Sequence, residues 1–243
     1  SGGKKKSGAT SGGTGGGSGR GGLFERVKTA KRRSVSSTRW LQRQLNDPYV
    51  RKAQAEGYRS RAAYKLIELE DKFGVLKKSR AVVDLGITPG GWSQVVRKVN
   101  PRAKVVGIDL LPCEPLEGVE ILLMDFMDDE APDALLDALG TAPDLVISDM
   151  AANTVGLAET AADFAVQNLV KGGTFIAKVF AGGADKDLLD VLKRNFTTVK
   201  HAKPPASRKG SPELYVVAQG FKGRAEDEQD SETDAQYGFN VGL

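Results

Sequence analysis

The chain has one cysteine, Cys113, and one histidine, His201, among 243 residues. A lone cysteine closes no internal disulfide. The same inventory rules out zinc sites built from four cysteines, from paired cysteines and histidines, or from three histidines. A histidine-based triad or a cysteine–histidine pair would have to use His201, so any catalysis is expected to run on other groups. Long apolar runs are also missing, since none approaches the roughly 18 residues needed to cross a bilayer. The glycine- and lysine-rich N-terminus has no apolar core of the signal-peptide kind. The expectation is a cytoplasmic protein without a membrane partner.

What the chain does have is charge, unevenly placed. Its 35 Lys and Arg against 31 Asp and Glu give a net of +4. Residues 1–34 hold nine basic residues and one acid, Glu25, while residues 225–243 hold six acids and no base. Eleven of the first 22 residues are glycine, too few apolar groups to offset the entropy of ordering them. The reading is a disordered basic arm (1–34), one folded domain (35–224) and a disordered acidic tail (225–243). Within the domain, residues 39–65 carry Arg39, Arg43, Arg51, Lys52, Arg59, Arg61 and Lys65 against Asp47 and Glu56. Residues 191–212 carry six cations, including Arg208 and Lys209, and no acid. Clustered cations suit a polyanion such as RNA, with a plain solvated face as the alternative.

From about residue 59 helical and strand patterns alternate. RSRAAYKLIELEDKF sets Ala62, Leu66, Leu69 and Phe73 on one helical face. Short apolar runs at 81–86, 104–109, 119–124, 144–149 and 174–180 read as strands, with helices over WSQVVRKV, 133–140, the stretch around Ala162–Leu169, and 185–196. TTVKHAK and LYVVAQGF read as two closing strands. The pattern predicts an α/β fold, a mostly parallel seven-stranded sheet with helices on both faces.

The first strand ends in Asp84-Leu85-Gly86-Ile87-Thr88-Pro89-Gly90-Gly91-Trp92. In a doubly wound sheet this turn is where ligands bind, but it matches neither a dinucleotide fingerprint nor a Walker A loop. Asp109, Asp125 and Asp149 follow at the ends of the next three strands. Each alone could be a helix cap or turn residue. Together they line one rim with carboxylates, which repels a pyrophosphate and suits a ligand with ribose hydroxyls, an amino group and a cationic centre, as in S-adenosylmethionine. Lys178 interrupts the apolar strand TFIAKVF, so its ammonium needs a partner, a ligand or a lowered pKa, unless it sits on an edge strand and reaches solvent. Lys65 has Glu68 three residues on as a simple partner, and Glu213 reads as an ordinary acid before the last strand.

The segments RSRAAYKL (59–66), DLGITPGGWSQV (84–95), GIDLLP (107–112), MDF (124–126), SDMAAN (148–153), AKVF (177–180) and ASRKGSPELYVVA (206–218) occur in this order. Together they resemble the FtsJ/RrmJ (RlmE) family of ribosomal RNA large-subunit 2′-O-methyltransferases, over roughly residues 36–224. The resemblance implies a Rossmann-like, S-adenosylmethionine-dependent methyltransferase sandwich. It implies a catalytic Lys-Asp-Lys-Glu set at Lys65, Asp149, Lys178 and Glu213, and cofactor contacts at Gly90, Trp92, Asp109, Asp125 and Asp149. The implied substrate is a uridine ribose in 23S ribosomal RNA of the large subunit, methylated by a monomer without a metal. Transfer RNA as substrate, or a weakly catalytic ribosome-assembly factor, are the rival readings. A base methyltransferase with a cysteine nucleophile is disfavoured, because Cys113 lies in a Leu-Pro-Cys-Glu-Pro turn away from Asp149. Ile87-Thr88 replaces the family's usual Ala-Ala, and its branched side chains are expected to crowd the methionine end of the cofactor. The loop after Asn153 is shorter than the resemblance leads one to expect.

Overall fold

The computed structural model describes residues 37, 42, 44–150, 156–180 and 185–224. The arm (1–34), the tail (225–243) and the loop residues 151–155 lie outside the described residues. In the first 46 residues, Asn46 donates a hydrogen bond to the Gln42 carbonyl (2.7 Å). All that follows concerns the unit beginning at Asp47.

Helix α1 (Pro48–Glu56) starts where Asp47 accepts the Tyr49 N–H and Pro48 presets the first turn, and it stops at Gly57 in the left-handed region. Helix α2 is Ala62–Phe73, and α3 is Gly91–Val99. Helices α4 (Ala131–Leu139), α5 (Leu157–Asn168) and α6 (Asp185–Asn195) follow.

The strands are β1 (Ala81–Leu85), β2 (Lys104–Asp109), β3 (Val119–Leu123), β4 (Leu145–Ser148), β5 (Thr174–Phe180), β6 (Phe196–Ala202) and β7 (Glu213–Phe221). They form one seven-stranded sheet ordered β3-β2-β1-β4-β5-β7-β6. The first five pair in parallel, while β7 runs antiparallel to both β5 and β6. The predicted α/β architecture with a mostly parallel sheet is what forms.

Strand β1 is buried along its whole length, so its apolar run feeds two cores at once. Val83 and Leu85 join the apolar cluster that holds Leu135, Phe164 and Leu192 on one side of the sheet. Val82, one residue out of phase, faces Leu66, Trp92 and Val95 on the other. The chain runs from β1 outward to β2 and β3, then returns from β3 to β4 on the other side of β1, and this reversal opens a crevice at the carboxyl ends of the strands. No helix among the described residues is long and apolar enough to cross a membrane.

Candidate active site

Asp109 is the last residue of β2, Asp149 lies one residue beyond β4, and Asp125 two beyond β3. All three line a cleft of about 430 Å³ at the carboxyl edge of the sheet, with Ile108, Leu111 and Phe126 among its apolar walls. The Asp109 carboxylate organises its own surroundings, accepting from Thr88 N (2.9 Å) and Leu111 N (2.9 Å). Asp125 Oδ1 accepts from Met127 N (2.9 Å).

The loop after β1 forms the inner wall of the cleft. Gly86 has φ +77°, and a Cβ there would sit 2.2 Å from Met150 Cγ, so both backbone shape and space require glycine. The Ile87 side chain is 3% exposed and packs where Gly107 of β2 has no Cβ. Thr88 directs its hydroxyl to the Leu111 carbonyl (3.0 Å). Gly90, at φ +104°, caps α3 and lies under the Arg59 guanidinium. The Trp92 ring is buried, and its indole N–H is spent on the Ala62 carbonyl (2.9 Å). A small adjoining cavity of about 40 Å³ touches Trp92, Asp84 and Asp149.

Behind Asp149 the four residues of the implied set come together. Lys65 Nζ lies 2.9 Å from Glu213 Oε2 and 3.7 Å from Asp149 Oδ1. Lys178 Nζ donates to the Asp149 carbonyl (2.6 Å) and lies 3.3 Å from its Oδ1. The simple alternatives for both lysines fail. Glu68 does not pair with Lys65, but accepts from Tyr49 OH (3.1 Å) and Ala206 N (2.6 Å). Strand β5 is no edge, because β4 and β7 flank it, and the Lys178 side chain is 9% exposed. Each cation therefore meets a carboxylate inside the protein, as burial demands.

Burial pulls the Glu213 carboxyl upward, but the Lys65 ammonium, the Ser207 hydroxyl and Lys178 outweigh it and hold it below the usual range.

Residues 58–221 match the family model for FtsJ-like methyltransferases. The chain belongs to that family. The protein named Ribosomal RNA large subunit methyltransferase E in Sphingopyxis alaskensis is 81% identical over 218 residues, spanning 85% of this chain and 95% of that one. The protein of the same name in Novosphingobium aromaticivorans is 70% identical over 211 residues, spanning 82% and 95%. A crystal structure assigned as a Plasmodium falciparum ribosomal RNA methyltransferase is 32% identical with a TM-score of 0.59, covering 69% of this chain and all of that one. A fibrillarin/Nop5p complex, 19% identical at TM-score 0.50, shares the fold.

In this FtsJ-like frame several side chains stand out that the motif reading passed over. Tyr215 of β7 is fully buried and donates to Asp149 Oδ1 (2.6 Å). Burial and the neighbouring Asp149 and Glu213 push its phenol far above the ordinary range, so it stays a donor. Its signal was its position two residues after Glu213, on the same face of a buried strand, where a phenol needs a partner. Asp84 is 2% exposed and accepts from Ser93 Oγ (2.7 Å). Burial, with smaller contributions from Asp149 and Asp109, outweighs the Ser93 hydrogen bonds and raises its carboxyl to about 7. Arg59 donates to the carbonyls of Pro89 (3.2 Å), Glu114 (2.6 Å) and Pro115 (2.6 Å). It thereby ties the loop after β2 to the loop after β1.

Proposed function

We propose that this chain transfers the methyl group of S-adenosylmethionine to the 2′-hydroxyl of a uridine ribose in 23S ribosomal RNA of the large subunit. The observation that carries the proposal is the convergence of Lys65, Asp149, Lys178 and Glu213 at the carboxyl edge of the sheet, with Asp149 also lining the acid-rimmed cleft. The names of the highly identical relatives support large-subunit ribosomal RNA as the substrate.

The donor set of the cleft suits the cofactor. Asp109 can accept from ribose hydroxyls, apolar walls enclose a base, and several carboxylates offset a sulfonium charge. The Gly86–Gly91 loop, Trp92 beside it and Asp125 complete the wall. When bound, S-adenosylmethionine supplies an electrophilic methyl group on positively charged sulfur.

A ribose hydroxyl is weakly acidic, so attack requires alignment and an acceptor for its proton. Lys178 provides the acceptor once its ammonium has passed a proton to solvent. An uncharged amine has two N–H donors and one lone pair. The Asp149 carbonyl takes one donor and Asp149 Oδ1 lies 3.3 Å away, which holds the amine beside the cleft that Asp149 lines. Asp149 orients this amine and is itself steadied by Tyr215. Lys65, held by Glu213, places a positive charge where negative charge builds on the attacking oxygen.

The test is transfer of labelled methyl to isolated large subunits, naked 23S RNA and transfer RNA, side by side. Label on the large subunits is the expected result. Label on transfer RNA alone would overturn the substrate assignment, and no transfer to any of the three would overturn the reaction.

A further inference from the structure

Ser207 is 5% exposed, in a segment where Lys203, Arg208, Lys209 and Gly210 face solvent. Its hydroxyl donates to Glu213 Oε1 (2.8 Å), while Lys65 donates to Oε2 (2.9 Å). One donor on each oxygen fixes both the position and the plane of the carboxylate; a single donor leaves rotation about the outer side-chain bonds.

The segment carrying Ser207 has no regular structure, yet it is pinned with unusual economy. Both polar backbone groups of Ala206 are taken by side chains, one from the middle of α2 and one from the residue just before it. Its N–H goes to Glu68 Oε2 (2.6 Å), and its carbonyl accepts from Arg61 Nη2. Glu68 is braced by Tyr49 OH, and Arg61 by Asp47 Oδ2 (2.9 Å). Lys65 projects from the same helix that supplies Glu68. One element therefore holds Lys65 and, through residues 206 and 207, the far oxygen of the carboxylate that Lys65 meets.

We infer that Ser207 is a positioning residue: its hydroxyl sets the Glu213 carboxylate so that Lys65 is presented to the reacting ribose, with Glu68 and Arg61 anchoring the loop that delivers it. The inference rests on the methyl-transfer reading above and adds to it a residue that touches neither cofactor cleft nor ribose. Glu213 is faced by Lys65 of α2, Asp149 after β4, Lys178 of β5 and Tyr215 of β7. The last three keep their partners when Ser207 is changed.

The test compares wild type, Ser207→Ala and Ser207→Thr, with thermal unfolding as a check on folding. Ser207→Ala lowers kcat about 10-fold or more, the scale of one hydrogen bond to a charged group, at unchanged KM for S-adenosylmethionine. Ser207→Thr, which keeps the hydroxyl, restores most of the rate. The Glu213 carboxyl, followed by 13C NMR and assigned with Glu213→Gln, titrates at higher pH in Ser207→Ala than in wild type. Wild-type kcat and an unmoved Glu213 titration in Ser207→Ala would overturn the inference. The titration needs no turnover. If wild type methylates no ribose, the functional reading fails by itself, while the Glu213 titration still decides whether Ser207 sets the carboxylate.

Discussion

Lys65 and Glu213 stand 148 positions apart in the chain and 2.9 Å apart in space. Helix α2 brings one and the start of β7 the other, and both side chains are nearly nine-tenths buried. Lys52 and Glu56, at 3.9 Å and largely exposed on one turn of α1, make the opposite kind of pair. Double-mutant cycles on unfolding should give about 1.5–3 kcal/mol of coupling for Lys65–Glu213, the scale of hydrogen bonds to charged groups. The exposed pair should give about 0.3–0.5 kcal/mol. Equal couplings would mean that the inner pair is solvated and not held.

Asp84 and Glu213 make opposite contributions to stability against pH. The Asp84 carboxyl is raised to about 7, chiefly by burial. Between about pH 4 and pH 7 the folded chain keeps a proton that the unfolded chain has released, so stability falls as pH rises through this window. Asp84→Asn has no proton to lose, and its stability relative to wild type should climb over the same window and level off above it. Glu213, held below its ordinary value, stabilises above that value and loses its contribution as pH falls through the depressed one. Glu213→Gln should therefore flatten the acid side. Parallel denaturant unfolding of the three proteins from about pH 2 to 8 checks both signs.

Arg59 joins two loops of the cleft through three carbonyls. Arg59→Ala should weaken S-adenosylmethionine binding about 10-fold or more by calorimetry, since losing even one such charge-assisted bond is worth that factor. Unchanged affinity would show that the loops hold their places without it.

Arg208 and Lys209 directly follow the buried Ser207 and belong to the acid-free stretch 191–212. Replacing both with glutamine should weaken RNA binding and reduce the slope of log affinity against log salt by roughly 1–2, as expected for two lost phosphate contacts. Cofactor affinity should stay the same. A salt slope equal to wild type would assign the basic stretch to a plain solvated face.

Much of this was legible in advance. Short apolar runs separated by helical periodicity announce a parallel sheet, because strands buried on both faces have no polar side to show, and β1 and β4 are of that kind. A lysine inside TFIAKVF could not be left unpaired, and Lys178 found Asp149. What the motifs missed depends on distance across the fold. Nothing near Lys65 in the chain says that it passes over Glu68 for Glu213. Nothing near Ile87 says that Gly107, in the next strand along the chain, leaves a pocket for it. Ser207, Tyr215 and Arg59 are ordinary residue types whose roles arise only from which carboxylate or carbonyl the tertiary structure sets opposite them.

The most direct test of the account is the location of the methyl group in RNA modified by wild type and by Lys178→Ala. Labelled large-subunit RNA is hydrolysed with alkali, which cleaves next to every unmodified 2′-hydroxyl. Wild type should yield an alkali-stable dinucleotide carrying the label on a uridine ribose, and Lys178→Ala should bind S-adenosylmethionine normally but yield almost none. Label released on a mononucleotide base, or a wild-type rate from Lys178→Ala, would contradict it.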